Sequence, residues 1–168
     1  MSMIASFYIV SDSKCEGIIQ AAIDQGNALT KKRFGFFPPK LPLKIDPFWE
    51  FMNNEANELE KLPYSGALIL DLEMIINGLL KSSDPVGQRL CEITDSSFIT
   101  YKKKDASIVL EKLNGLKIDD EQVKQHLEEE GRLDDYPDII PPLNDCISTL
   151  KNWFLSVEEE QTGILNIG

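Results

Sequence analysis

The sequence of 168 residues predicts a helix-rich α+β fold. We expect one domain over residues 1–168, with five or six helices packed on a small sheet that includes the N-terminal and C-terminal strands. Residues 69–80 are mostly Leu, Ile and Met, which is typical of a largely buried helix. Residues 3–10 are β-branched and aromatic, as in an interior strand. Residues 164–167 are too apolar for an exposed terminus, so we expect them to pair beside residues 3–10.

The N-terminal half contains two further helix patterns around a loop. Ser13 and Glu16 have the spacing of a capping box, and the helix that follows is expected to end at Gly26. Residues 31–47 are basic, aromatic and proline-rich, which predicts a long loop. Residues 48–62 form an amphipathic pattern that Pro63 should stop.

Asp84-Pro85, near the middle of the chain, is expected to close the central helix. A short extended piece over residues 98–101 then precedes a helix that Asn114-Gly115 terminates. A very polar helix over residues 119–130 follows. Apolar residues repeat at helical spacing after Pro141-Pro142, which indicates a last helix.

Composition predicts a soluble, cytoplasmic protein. Hydrophobic residues make up 42% and charged residues 27%, and no apolar run is long enough to cross a bilayer. Residues 1–10 lack the basic start and the cleavage site of a secretory signal. The three cysteines, Cys15, Cys91 and Cys146, are widely spaced, which suggests neither a disulfide framework nor a zinc site. Cys15 and Cys146 fall on apolar helix faces, so we expect them to be reduced and to lie in the core.

The net charge of −11 is concentrated in the last third of the chain. Residues 1–48 carry +2, residues 49–118 carry −3 and residues 119–168 carry −10. Such a field repels nucleic acid and anionic lipid and favours a basic partner, although acidic surfaces also serve solubility alone. The candidate partner surface consists of the acidic residues Glu128, Glu129, Asp134, Asp135 and Asp138.

Three other features have a chemical interpretation beside a plainer one. His126 precedes Glu129 and Glu130 by one helical turn, a weak metal-binding pattern, but an exposed helical histidine among acids is commoner. The acidic cluster lacks the pattern of a calcium loop. Residues 31–37 mix cations with aromatic rings, as single-strand nucleic-acid grooves do, but such rings equally anchor a loop. We therefore predict no metal, cofactor, nucleic-acid or membrane ligand.

No local motif predicts catalysis. A serine elbow, a phosphate-binding glycine loop and a dinucleotide fingerprint are all missing from the sequence. Distant carboxylates can still converge in a fold without leaving a local pattern. The sequence therefore assigns no catalytic residue and leaves an enzyme that uses carboxylates in a cleft as the alternative function.

Several segments together resemble the YfbM-like family of small bacterial proteins of unknown function. They are residues 3–7 before a capped helix, residues 98–101 before a helix ending at residues 110–113, the pair Tyr136-Pro137, and the last helix running into residues 163–165. The Trp and the His-x-Leu-Leu-Thr-Gly motif usual in that family are absent from the central helix, where residues 77–82 read Asn-Gly-Leu-Leu-Lys-Ser. The resemblance implies a single α+β domain and supplies no reaction.

These observations favour a cytoplasmic, non-catalytic interaction module. The acidic C-terminal surface would bind a basic protein, and one version is an immunity-type protein that neutralises a basic toxin. Complementary fields speed association and select partners.

Overall fold

A four-stranded antiparallel sheet lies at the centre of the computed structural model, which describes residues 3–33, 46–94 and 96–168. Its strands are β1 (Ala5–Ser11), β2 (Asn57–Glu58), β3 (Ser97–Lys102) and β4 (Gln161–Ile167). They lie in the order β2-β1-β4-β3, so the C-terminal strand is interior. β1 and β4 pair along their whole length, from Ala5 opposite Ile167 to Ser11 opposite Gln161. The predicted α+β class and the predicted pairing of the two terminal strands are confirmed.

Helices cover both faces of this sheet because the strands alternate apolar side chains to each side. In β1, Phe7 joins the core of one face while Tyr8 and Val10 join the core of the other. Helices α3 (Ala67–Ile75), α5 (Lys103–Gly115), α6 (Asp120–Glu129) and α7 (Ile140–Leu155) contribute to the Phe7 side. Helices α1 (Cys15–Arg33), α2 (Pro47–Glu55) and α4 (Pro85–Thr94) contribute to the Tyr8 side.

Phe7 is the centre of the larger core. Its ring stacks on Trp153 at a centroid distance of 5.5 Å and meets Phe154 edge-on at 5.4 Å. The indole Nε1 of Trp153 donates to the Glu60 carbonyl at 2.9 Å, so this buried polar group is satisfied. The aromatic cluster therefore fixes α7 against the middle of the sheet.

Several helix bounds differ from the sequence predictions. α1 continues through Gly26 to Arg33, because a single glycine weakens a helix without ending it. The predicted capping box is not formed: Ser13 lies in a short 3-10 helix, Asp12–Lys14, before α1. Of the residues 31–47 predicted to form a loop, 31–33 belong to α1 and 47 belongs to α2, whereas residues 34–45 lie outside the described part of the chain.

The second predicted helix ends early. α2 stops at Glu55 rather than at Pro63, and the chain then pairs with β1 through β2. The Leu59 amide also donates to the Phe7 carbonyl at 2.8 Å. Residues 57–59 therefore pair with β1 instead of continuing the helix, because the backbone groups on this edge of β1 would otherwise be unpaired.

The central helix is shorter than predicted, and a further helix follows it. α3 ends at Ile75, where the Glu73 carboxylate accepts from the amides of Gly78 and Leu80 at 3.0 and 2.7 Å. Gly78 has a φ of 76°, which turns the chain. Pro85 therefore does not close the central helix but begins α4. No sequence pattern predicts this helix.

The remaining C-terminal predictions are confirmed, namely the extended piece at β3 and the helices α5, α6 and α7. The predicted burial of Cys15 and Cys146 is also confirmed. The three cysteines form no disulfide with one another. Across the described ranges, no helix combines the length and apolar character needed to cross a membrane.

Candidate functional site: an acidic groove over a buried Asp-His-Arg cluster

Asp71 is a buried carboxylate in the mostly apolar helix α3, with 6% of its surface exposed. Arg132 donates from Nη1 to both of its oxygens, at 3.0 and 3.2 Å. His126 Nε2 lies 2.8 Å from Asp71 Oδ1. A buried charge is stable only when it is paired and hydrogen-bonded, and Asp71 has both kinds of partner. This Asp71-His126-Arg132 cluster links α3 to α6 and to the segment after α6.

The position of His126 corrects the sequence interpretation. The sequence pattern predicts an exposed histidine or a weak metal ligand beside Glu129 and Glu130, whereas only 8% of the surface of His126 is exposed. The ring lies on the same buried face of α6 as Val123 and Leu127. Within the described ranges, no group of three or more His, Cys, Asp and Glu side chains is placed to hold a metal ion.

Gly131 places Arg132 against α3. Its φ of 67° is the left-handed conformation that commonly ends a helix. The Arg132 amide then donates back to the Leu127 carbonyl at 2.6 Å, which completes the turn. The chain leaves α6 in the direction of Asp71, and the guanidinium reaches the buried carboxylate.

The Arg132 guanidinium is shared by two carboxylates. Arg132 also donates from Nε to Asp135 Oδ2 at 3.0 Å. Burial alone would lower the pKa of Arg132, but its hydrogen bonds to Asp135 and Asp71 outweigh burial and raise it. Burial raises the pKa of the nearby Cys146 thiol to about 12, and the charge of Asp71 adds to that effect. Cys146 is therefore a protonated packing residue.

A groove of about 400 Å³ opens above the cluster, between α3 and the start of α7. Its apolar part is formed by Ala67, Leu68, Ile139 and Pro142. Tyr64 lines the groove, and its hydroxyl donates a hydrogen bond to Asp145 Oδ2 at 2.8 Å. The polar part consists of Ser65, Asp71, Arg132, Asp134, Asp135 and Asp138.

Three of the five residues of the predicted partner surface line this groove, namely Asp134, Asp135 and Asp138. Glu128 and Glu129 do not line it, and Glu129 instead accepts from Gln125 on the outer face of α6 at 3.0 Å. Asp71, Arg132 and Tyr64 also belong to the site, although no sequence pattern predicts them there. The one signal for Asp71 is its place between the apolar residues Leu70 and Leu72 of a mostly apolar helix, because a buried acid requires a partner.

Asp134 and Asp138 differ from the other groove acids because no cation neutralises them. Arg132 is engaged by Asp71 and Asp135. In the part of the chain that the structure describes, the carboxylates of Asp134 and Asp138 form neither a hydrogen bond nor an ion pair, and both residues are exposed. The groove therefore combines an apolar part of its lining with two uncompensated negative charges.

Comparison of the chain with protein-family models, curated proteins and solved structures finds no match. The resemblance to the YfbM-like family therefore stays a prediction from the residues.

Proposed function

We propose that this chain is a non-catalytic interaction module that binds a basic protein partner through the acidic groove. The observation that carries the proposal is the pair of uncompensated carboxylates, Asp134 and Asp138, in one groove with apolar lining residues. An immunity-type protein that neutralises a basic toxin is one form that such a module takes. Electrostatic complementarity would supply both selectivity and rapid association.

The groove matches the chemistry of a lysine or arginine side chain. These side chains have an apolar stem and a cationic head, and they bury the stem while the head stays in a polar environment. Leu68, Ile139 and Pro142 would contact the stem, and Asp134 and Asp138 would receive the head. Arg132 would not repel the ligand strongly, since two carboxylates already hold it.

An enzyme that uses carboxylates is the second candidate, because four aspartates share one groove. Two of them have structural partners: Asp71 is bound by Arg132 and His126, and Asp135 is bound by Arg132. Asp134 and Asp138 are the pair that would have to act as acid and base. Binding a cation uses the same two residues and needs no further group, so the geometry favours binding.

Titration of the isotopically labelled protein with N-acetyl-lysine methylamide, followed by NMR, tests the proposal. We expect shifts at the groove amides that weaken as salt rises, because exposed charges are screened over about 8 Å at physiological ionic strength. The matched ligand is N-acetyl-norleucine methylamide, which has the same stem without the ammonium group and should shift the groove amides far less.

The matched variants separate the groove from net charge. Asp134→Asn with Asp138→Asn should abolish the response to the lysine derivative, whereas Glu158→Gln with Glu159→Gln removes equal charge at exposed residues outside the groove and should leave it unchanged. Equal weakening by both pairs would reduce the effect to bulk charge and reject the groove as the binding site.

A further inference from the structure

Helix α3 exposes two large apolar side chains that have no role in the core. Leu70 is 41% exposed and Met74 is 67% exposed. On the opposite side of the same helix, Leu68, Ile69 and Leu72 are buried. Two such residues on one short helix form an exposed apolar patch, in contrast to the strongly charged residues 119–168.

Leu70 and Met74 form one strip with Ala67, a residue that lines the groove. Residues of a helix turn by about 100° each, so Ala67, Leu70 and Met74 lie within about 60° of one another along two turns. Ala67 also lines the groove. The apolar strip, defined as Ala67, Leu70 and Met74, is therefore continuous with the groove that contains Asp134 and Asp138.

We propose that the apolar strip and the groove form one interface, and that its occupant is an amphipathic helix of the basic partner. This inference rests on the proposed function and extends it from a single side chain to a secondary-structure element. The strip spans about 10 Å along α3, which matches the ridge that apolar residues at positions i, i+4 and i+7 make on a partner helix. A lysine or arginine at one end of that ridge would enter the groove.

Charge decides between this occupant and two others. A second copy of the chain would bring another net charge of −11 to the same surface, and like charges at an interface oppose association. An anionic bilayer would meet the uncompensated Asp134 and Asp138 beside the strip, which is also repulsive. Of the three candidate occupants, the basic amphipathic helix is the one that the acidic groove attracts.

Two synthetic amidated peptides of lysine, leucine and alanine test the inference against the full chain. One places leucines on a single helical stripe, and the other has the same composition with the stripe scrambled. By fluorescence anisotropy, the striped peptide should bind about tenfold more tightly than the scrambled peptide.

The strip variant, Leu70→Gln with Met74→Gln, should lose that preference for the striped peptide. The control variant, Ile108→Gln with Leu155→Gln, changes residues that are 45% and 63% exposed on other helices and should retain it.

The outcomes separate this inference from the proposed function. If the strip variant keeps the wild-type preference while Asp134→Asn with Asp138→Asn weakens both peptides, the strip is not part of the interface and the groove proposal stands. If the groove variant weakens neither peptide, both proposals fail. If sedimentation shows a dimer that the strip variant dissociates, the occupant is a second copy and the inference is overturned.

Discussion

Gly87 allows helix α4 to approach strand β3 closely. Its amide donates to Thr100 Oγ1 at 2.8 Å. A Cβ at this position would lie 2.8 Å from the Thr100 backbone nitrogen and 3.1 Å from the Phe98 carbonyl oxygen. Both neighbours are backbone atoms in a paired strand, so they cannot move aside as a flexible side chain would.

Gly87→Ala should therefore lower the free energy of unfolding by about 1–3 kcal/mol through overpacking. Gly26→Ala is the matched substitution, because among the described residues no atom outside the adjoining helix backbone lies within 4 Å of the added Cβ. Alanine there should stabilise α1 by about 0.5–1 kcal/mol. Urea denaturation of both variants measures the contrast, and destabilisation of equal size at the two positions would contradict it.

Asp12 joins the ends of three strands through hydrogen bonds. Its Oδ1 accepts from Lys102 Nζ at 2.8 Å and from Thr162 Oγ1 at 2.7 Å. Burial alone would raise the pKa of Asp12, but the hydrogen bonds from Lys102 and Thr162 outweigh burial and lower it. The carboxylate is thus favoured in its charged form.

Since the pKa of Asp12 is lower in the folded than in the unfolded chain, its contribution is fully present above the unfolded value of about 3.9 and is lost as pH falls through the folded value. Asp12→Asn should cost about 1 kcal/mol or less at neutral pH, because solvent screens this partly exposed pair. The difference between wild type and variant should shrink below pH 4 or so. Denaturation series at neutral and acidic pH measure it, and a difference that grew on acidification would have the wrong sign.

Local sequence patterns could not place His126. Its acidic neighbours along the helix suggested solvent, but its position on one face with Val123 and Leu127 is what buries it. The partner, Asp71, lies 55 residues away. A pattern within one helix identifies the buried face at best, and it contains no information about which distant side chain meets that face.

Strand β4 is the element on which the sheet depends most. It pairs with β1 on one side and with β3 on the other. Ile164 and Leu165 are fully buried, on opposite faces of the sheet. Without β4, β3 would lose its partner in the sheet and β1 would keep only its short pairing with β2.

Leu165→Ala should reduce the free energy of unfolding by about 2–5 kcal/mol, from lost transfer energy and the cavity left behind. Leu155→Ala makes the same change at an exposed residue of α7 and should stay within about 0.5 kcal/mol. Deletion of residues 163–168 should destabilise the fold more than either. Thermal unfolding compares the three variants, and an unchanged melting temperature after the deletion would refute the central role of β4.

Elements with strong periodicity were predictable, and boundaries set by tertiary contacts were not. The apolar repeat of α7 and the apolar tail of β4 are visible in the sequence. Asp84-Pro85 was interpreted as a helix end, yet Asp84 Oδ1 accepts from the Val86 amide at 2.9 Å and Pro85 begins α4. Aspartate before proline suits a helix start equally well, since proline is favoured in the first turn.

The charge of the whole molecule predicts how its stability responds to salt. Residues 119–168 carry −10, and the exposed ion pairs of the described residues each contribute little. Raising NaCl from about 10 to 150 mM shortens the Debye length from about 30 to 8 Å, so repulsion among the carboxylates falls and the melting temperature should rise. KCl should act equally, because screening is not specific to the ion. A lower melting temperature in salt would show that attractive pairs dominate instead.

The candidate site was predictable in its charge but not in its shape. Asp134, Asp135 and Asp138 stood out because they are close together in the sequence. The groove also needs Tyr64, Leu68 and Asp71 from a segment more than 60 residues earlier, and only the packing of α3 against α6 and α7 brings them there.

The interior position of β4 has a consequence for biosynthesis. β1 is translated first and its long partner is translated about 150 residues later, a delay on the order of ten seconds at ribosomal rates. During that interval β1 and β3 have no central strand between them. The sheet can close only after residue 167 leaves the ribosome, so a chain whose translation stops within α7 has unpaired strand edges on β1 and β3, and such edges favour aggregation.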